Sequence, residues 1–295
     1  MSIFVFILFQ GNIVQAEKEL FVSAHNAVLI DRTTGEILFD KRAHERQSVA
    51  SITKIMTAIV ALELGDLSDV VKVSERAIYT EGSSIYLQKG EEITLEDLLY
   101  GLMLRSGNDA AVAISEHVGG SVEGFVHLMN EKARWIGMTN TNFSNPHGLE
   151  GENHYSSAYD IAILLDYAMD NKEFQKISGT TSYLSKNRTY KWRNKNKLLT
   201  SLYEYCTGGK TGFTRKAGRT LATTAEKYGR TLIAVTLNAP DDWRDHIRMF
   251  EWGFERGHAL LTTKTKNKNS FKREAPKEKV FITTFKNLLG MMTND

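Results

Sequence analysis

The chain has 295 residues, 42% of them hydrophobic, and 37 lysines and arginines stand against 35 aspartates and glutamates for a net charge of +2. That size and apolar content allow one sizeable core, in one or two lobes, and exclude a disordered or low-complexity chain. The near-balanced charge carries no footprint of nucleic-acid binding, the lone Cys206 excludes an intrachain disulfide, and the eight histidines show no metal-ligand spacing, so neither metal nor cofactor is expected.

In chain order, Ser2-Ile-Phe-Val-Phe-Ile-Leu-Phe9 is too short to span a bilayer and precedes Val14-Gln-Ala16, a small-residue cleavage pattern before charged Glu17. Residues 1–16 are therefore expected to be a signal peptide, although a basic n-region is missing from the start. Asn26 to Asp31 and Glu36 to Phe39, joined through Arg32-Thr-Thr-Gly35, predict a hairpin, and a helical stretch follows from Ser51 to about Met169. Strand-like runs then cover the segment from Cys206 to Thr214, Arg219 to Thr224 and Arg230 to Leu237, and a helix runs from about Trp243 to Glu255. With no crossover helix between the last three strands, the prediction is an α+β fold. A five-stranded antiparallel sheet is assembled from both chain ends and flanked by helices, beside a helical lobe. Residues 17–260 form the catalytic domain in this reading. In the tail, 261–295, a lysine-rich linker precedes Phe281, Phe285, Leu288, Leu289 and Met292, which share one face of a short helix suited to an anionic membrane surface.

Three short motifs carry chemistry. Ser51 and Lys54 stand three apart at the head of an apolar helix, so one face holds both, and a buried lysine in its neutral form can take the serine proton. Ser106-Gly107-Asn108 ends one apolar run and opens another, a tight turn that presents a hydroxyl and an amide to a cleft. Lys210-Thr211-Gly212 lies among glycines on a predicted edge strand, where a substrate backbone can pair and a cation and hydroxyl meet an acidic group. A Lys-Thr-Gly occurs by chance in about one chain in ten of this size, and the order and spacing of all three make an acylating serine hydrolase the reading. A second Ser-x-Asn, Ser185-Lys186-Asn187, follows no apolar helix and is set aside; Cys206 is expected to be a small buried hydrophobe.

From about Asn26 to Gly257 the chain resembles the low-molecular-mass penicillin-binding D-alanyl-D-alanine carboxypeptidases. The resemblance rests on Ala50-Ser-Ile-Thr-Lys-Ile-Met-Thr-Ala58, Arg105-Ser-Gly-Asn-Asp-Ala-Ala111, Asn145-Pro-His-Gly-Leu149 and Gly209-Lys-Thr-Gly-Phe-Thr214. It implies the penicillin-binding/β-lactamase-like transpeptidase fold, with Ser51 the acylated nucleophile, Lys54 its base, Ser106 and Asn108 completing the cleft and Lys210, Thr211, Gly212 and Phe213 binding substrate. The main-chain N–H groups of Ser51 and Phe213 would form the oxyanion hole. Peptidoglycan stem peptides are the implied substrate, β-lactam antibiotics the covalent inhibitors, and the extracytoplasmic face of the membrane or the cell wall the implied location, with peripheral attachment through the tail. Too few residues follow for the β-rich C-terminal domain of longer relatives. The arginine that grips the terminal carboxylate in some relatives has only Arg244 and Arg248 as candidates, and His147 is a further candidate for substrate contact. A serine β-lactamase shares the chemistry, but Ser-Gly-Asn replaces the Ser-Asp-Asn of class A enzymes and no Glu-x-x-Leu-Asn lies between Ser106 and Lys210. A non-enzymatic muropeptide- or penicillin-binding module is the other alternative, disfavoured because every candidate catalytic residue is present.

Overall fold

Alternation of side chains along the long strands decides the architecture. The structure, a computed structural model describing residues 19–262, opens with β1 (Asn26–Asp31) and β2 (Ile37–Lys41). A 3-10 turn, Ala50–Thr53, leads into α1 (Lys54–Leu64), followed by β3 (Val70–Lys72), α2 (Glu75–Ile78), β4 (Glu92–Thr94) and α3 (Leu95–Tyr100). A π-helical turn, Gly101–Arg105, precedes α4 (Asn108–Gly119), α5 (Val122–Trp135), α6 (Ala158–Ala168) and α7 (Lys172–Ser178). The two-residue strands β5 (Ser182–Tyr183) and β6 (Trp192–Arg193) and a second π-helical turn, Leu198–Leu202, come next. Then follow β7 (Cys206–Thr214), β8 (Gly218–Lys227), β9 (Arg230–Leu237) and α8 (Asp242–Thr262).

Five strands form one antiparallel sheet in the order β2-β1-β9-β8-β7. The first hairpin therefore docks on the last strand, with Asn26 opposite Leu237 and Asp31 opposite Leu232. The α+β fold is the predicted one, and β7, which carries Lys210, is an edge strand as expected. Both faces of the sheet are covered. Val28, Ala222, Ile233, Val235 and Leu237 enter the core of the helical lobe, whereas Ala27, Leu29, Leu221, Leu232 and Ala234 meet Met249, Phe250 and Phe254 of α8. Two-sided burial is why these strands read as near-continuous apolar runs.

Polar struts fix the layers. His246 of α8 is fully buried and bonds Thr223 Oγ1 of β8 through Nδ1 (2.7 Å) and Thr236 Oγ1 of β9 through Nε2 (3.0 Å). Burial lowers its pKa to about 3, so it stands neutral between the two hydroxyls. One residue earlier, Asp245 accepts from Ser23 N (2.8 Å), Ser23 Oγ (2.7 Å) and Ala24 N (2.9 Å), tying the N-terminal segment to α8. In the lobe, Lys132 of α5 forms a buried ion pair with Glu63 of α1, and Tyr167 of α6 donates to the same carboxylate at 2.5 Å.

The structure departs from the sequence reading in four places. The predicted helical stretch from Ser51 to Met169 is broken by the β3–β4 pair, with Val71 opposite Ile93, and by the loop 136–157, held through isolated bridges Gln47–Ser156 and Asn142–Tyr155. Strands this short show no periodicity. β5 and β6 pair in a stretch to which the sequence reading assigned no element. The second hairpin strand is Ile37–Lys41, and α8 continues to Thr262, past Glu255. The expected signal peptide and the tail beyond Thr262 lie outside the described residues; among the described residues no helix is long and apolar enough to cross a membrane.

Because His246 binds a proton at about pH 3 when folded against 6.5 when not, the unfolded chain holds more protons between those values. Stability supplied by the neutral ring is thus complete above about 6.5 and lost as the pH falls toward 3. His246→Phe should lower stability at pH 7.5 by about 1–3 kcal/mol, leaving two threonine hydroxyls unpaired, yet its Tm should fall less steeply than that of the wild type between pH 6.5 and 4.5. Circular dichroism melts across that range test this, and parallel slopes for the two proteins would reject it.

Candidate active site

Ser51 sits not in an α-helix but in the 3-10 turn that precedes α1, whose first residue is Lys54. Three residues per turn eclipse positions i and i+3, and Lys54 Nζ lies 3.1 Å from Ser51 Oγ. Ala50 enters the turn at a φ of 48°, and its carbonyl packs so closely on Gly148 that a Cβ there would stand 2.0 Å from the oxygen. Gly148 itself has a φ of 85°, so glycine is required twice over.

The Lys54 amine also donates to Asn108 Oδ1 (2.7 Å) and to the His147 carbonyl (2.6 Å), with no part of the residue exposed. Burial drives its pKa well below the usual lysine value, aided by the charges of Lys210 and Lys195 and opposed by Asp109. A neutral amine has two hydrogens. The two carbonyls take them, and the lone pair is left for Ser51 Oγ, the arrangement a general base needs.

Asn108 reaches this position because α3 runs through the π-helical turn and stops at Ser106, a non-glycine residue in the left-handed region at φ 65°, ψ 34°. The Asn108 backbone N–H donates to Ser83 O (2.6 Å) and its Nδ2 to Glu81 O (2.6 Å), which turns Oδ1 toward Lys54. The partner segment is clamped in turn by Asp109. This buried carboxylate accepts from Ser84 Oγ (2.6 Å), Ile85 N (3.0 Å), Leu87 N (3.2 Å) and Ala110 N (2.9 Å).

On the other wall, edge strand β7 runs against the 3-10 turn. A Cβ at Gly212 would lie 2.8 Å from Ser51 N and 2.4 Å from Thr220 Oγ1, so only glycine permits the approach, and Thr220 donates to Val49 O at 3.0 Å. Lys210 is buried, its Nζ donating to Thr211 O (2.8 Å). Burial first and Lys195 second bring its pKa to about 7, so the cation expected from sequence is only partly charged at neutral pH. Thr211 is half-buried, and Phe213 projects from the strand with 66% of its surface exposed.

Ser51, Lys54 and Asn108 are thus in direct contact, Gly212 abuts Ser51, Lys210 acts on Lys54 through its charge, and Ser106, Thr211 and Phe213 flank them on the turn and on β7. Two contributors, Lys195 and His154, were not read from the sequence, and His147 was read only as a candidate for substrate contact. Lys195 enters from the loop after β6, with Nζ 3.3 Å from Ser83 Oγ. His147 contributes its carbonyl, while its Nδ1 accepts from Leu149 N (3.2 Å) and burial, then Lys54, lower its pKa to about 3. His154, lowered to about 4 by the same two causes, accepts from Ser144 N at Nδ1 (3.1 Å) and so donates from Nε2 to Thr53 Oγ1 (2.9 Å), bracing the residue before Lys54. The signals for the loop were the Asn145 to Leu149 block and its turn chemistry, with Asn145 Oδ1 accepting from His147 N and Gly148 N.

Other candidates fall away. Arg248 lines a groove with Leu20, Phe21 and Trp252 on the α8 side of the sheet, across from the lobe that carries Lys54, and Arg244 is exposed beside Asp241. Cys206 is buried with its thiol raised to about 11, so it is inert. Asn187 of the second Ser-x-Asn donates to Glu92 O and serves β4. No group of three or more His, Cys, Asp or Glu side chains able to hold a metal occurs among the described residues.

The Asp109 clamp generates a prediction. Asp109→Asn turns one acceptor into a donor facing N–H groups, which should cost about 1–3 kcal/mol and speed amide exchange at Ile85 and Leu87. Hydrogen-exchange mass spectrometry of the segment reads this directly, and unchanged protection there would refute the clamp.

Comparison with known proteins agrees with this geometry. The profile of the peptidase S11 family, described as D-alanyl-D-alanine carboxypeptidase, matches residues 13–241. The D-alanyl-D-alanine carboxypeptidase DacF of Bacillus subtilis is 42% identical over 228 residues, covering 75% of this chain and 59% of its own length. DacA of Haemophilus influenzae, of the same description, is 35% identical over 257 residues, covering 82% of this chain and 64% of its own. The chain therefore spans about three-fifths of the length of these curated relatives. Among solved structures, the D-alanyl-D-alanine carboxypeptidase from Mycobacterium tuberculosis superposes with a TM-score of 0.77 at 29% identity, over 82% of this chain and 95% of that one. The fold, the motif order and the family profile converge, and this chain belongs to the D-alanyl-D-alanine carboxypeptidase family.

Proposed function

We propose that this chain is a serine-type D-Ala-D-Ala carboxypeptidase that removes the terminal D-alanine from peptidoglycan stem peptides, and that penicillins acylate it at the same serine. The Lys54 amine carries the reading, its pKa driven well down by burial and its nitrogen set between two carbonyl acceptors and the Ser51 hydroxyl.

The steps follow from that placement. Ser51 Oγ attacks the carbonyl carbon of the penultimate D-alanine while Lys54 takes its proton. The oxyanion would be met by the main-chain N–H groups of Ser51 and Phe213, which Gly212 allows to come together. Lys54, now protonated, returns the proton to the leaving nitrogen through the hydroxyl of Ser106; the C–N bond breaks and D-alanine departs. Water then attacks the acyl ester with Lys54 again as base, restoring Ser51 and the carboxylate product. Lys210, brought to about 7 by burial and Lys195, gains charge when a substrate carboxylate arrives, since an opposite charge favours the protonated form. Thr211 supplies a hydroxyl beside it. The carboxylate whose charge acts on Lys54, Asp109, has its oxygens engaged by Ser84, Ile85, Leu87 and Ala110. It is not free to activate water, which favours a lasting penicilloyl-enzyme over β-lactamase turnover.

Mass spectrometry with a D-Ala-D-Ala pentapeptide should show loss of one D-alanine. Ser51→Ala should abolish both this and covalent labelling by a fluorescent penicillin, and Lys54→Ala should slow acylation about 10²–10⁴-fold, the usual contribution of a general base. An unchanged pentapeptide points instead to a binding module, and labelling of the Ser51 variant at another serine rejects the nucleophile.

We also infer that the reaction runs outside the cytoplasmic membrane, where such substrates lie, with residues 1–16 as the export signal, 17–260 as the catalytic unit and 261–295 as a basic linker with an amphipathic anchor. The support is the sequence pattern alone: lysines ahead of Phe281, Phe285, Leu288 and Leu289. Deleting 279–295 should release the protein from anionic liposomes in a sedimentation assay, with penicillin acylation retained, and high salt should partly mimic the deletion. A full-length chain that fails to sediment at low salt overturns the anchor.

A further inference from the structure

The polar segment between α7 and β7 delivers a third cation to the cleft. Lys195 stands between two buried asparagines that lock its backbone. Asn194 donates to Thr181 O through its N–H (2.8 Å) and to Thr180 O through Nδ2 (2.9 Å), and Asn196 Oδ1 accepts from Leu198 N (3.1 Å). Held this way, Lys195 grips the turn that carries Ser106 from both sides. Its N–H donates to Leu104 O (3.1 Å), two residues before Ser106, and its Nζ donates to Ser83 Oγ (3.3 Å). Ser83 O accepts from Asn108 N (2.6 Å), and Asn108 Oδ1 accepts from Lys54 Nζ (2.7 Å). An unbroken chain of contacts therefore runs from Lys195 through Ser83 and Asn108 to the Lys54 amine.

We propose that Lys195 is a positioning residue of the acylation step, its ammonium tethered by Ser83 at the cleft so that it opposes a positive charge on Lys54. The proposal rests on the reading of Lys54 as the base for Ser51. The groups facing Lys54 are Lys210 from β7, Lys195 from the loop after β6, Asp109 from α4, and His147 and His154 from the loop 136–157, both neutral. Only Asp109 favours a proton on the amine, and its oxygens are spread over three N–H groups and the Ser84 hydroxyl. Lys195 is set against Lys54 and Lys210 alike, lowering both. It differs from them in being exposed, which lets water support its charge where the two buried lysines have none. Burial of its amine end and the neighbouring Arg105 lower Lys195 too, so the cluster as a whole repels protons. The consequence has a definite sign. Loss of the Lys195 charge makes Lys54 easier to protonate, and acylation then fails at a higher pH.

The test uses the full chain with ¹³C-labelled lysine. The side-chain resonance of Lys54, assigned by its loss in Lys54→Ala, is titrated in the wild type, Lys195→Gln and Lys195→Arg. Penicillin acylation rates are measured over the same pH range. Lys195→Gln should raise the Lys54 midpoint and move the acidic limb of the rate profile upward with it. That would slow acylation at pH 7 by roughly three- to tenfold, the size expected of one charge several ångström away in a medium of intermediate dielectric, with the deficit shrinking as the pH rises. Lys195→Arg should keep the wild-type midpoint. An unmoved Lys54 midpoint in Lys195→Gln, or an equal loss of rate at every pH, overturns the proposal and leaves Lys195 a structural residue. If the wild type is not acylated at Ser51 the functional reading fails, while the resonance titration still decides what Lys195 does to Lys54.

Discussion

A lysine amine placed in the protein interior with no carboxylate of its own is the constraint around which this molecule is arranged. Burying an unpaired ammonium is far costlier than burying a neutral amine, so the fold must either supply a counter-ion to Lys54 or let it lose its proton. It does the latter. Two carbonyl oxygens, from Asn108 and His147, accept from the amine, while burial and two further lysines make its charged form less favourable and Asp109 opposes them. In the proposed reaction that lowered pKa is what lets Lys54 serve Ser51 as a base.

That arrangement depends on segments far apart in the chain. The 3-10 turn brings Ser51 over Lys54, the left-handed Ser106 redirects the chain so that Asn108 starts α4, and the loop around Pro146 closes from above with Thr57 donating to its carbonyl at 2.6 Å. The sheet then fixes the remaining wall. β7 is left as an edge, normally a hazard for aggregation, with its glycines and Lys210 at the side where the proposed substrate backbone would pair. Its other side is held rigidly by β8, which is braced from behind by His246. The strand therefore stays open toward the cleft without being loose.

The half-buried His147 and the buried His154 near the site illustrate how a neutral ring serves packing where a charged one would not. His154 bonds Thr53 and His147 bonds Leu149, each within reach of the Lys54 field, and neither offers a proton at neutral pH. They shape the helix start and the loop that hold Lys54, with the proposed chemistry left to Ser51 and Lys54.

Local sequence by itself determined the sheet strands, the apolar helices and the three motifs, because the apolar run along Arg230–Leu237, the spacing of Ser51 and Lys54 and the glycines around Lys210 are short-range patterns that act before the chain folds. It also set β7 at an edge, through the absence of crossover helices. Tertiary structure decided what those patterns could not encode. The charge on Lys54 and Lys210 is set by burial and by Lys195, which approaches from a polar stretch with no periodicity of its own. The role of His147 lies in its backbone carbonyl, an atom common to every residue and so invisible to side-chain reasoning. The distance between Ser51 and β7 is set at Gly212 by a close approach of two strands of chain about 160 residues apart. Desolvation and through-space charge depend on where distant segments finally stand, and only the assembled fold fixes that.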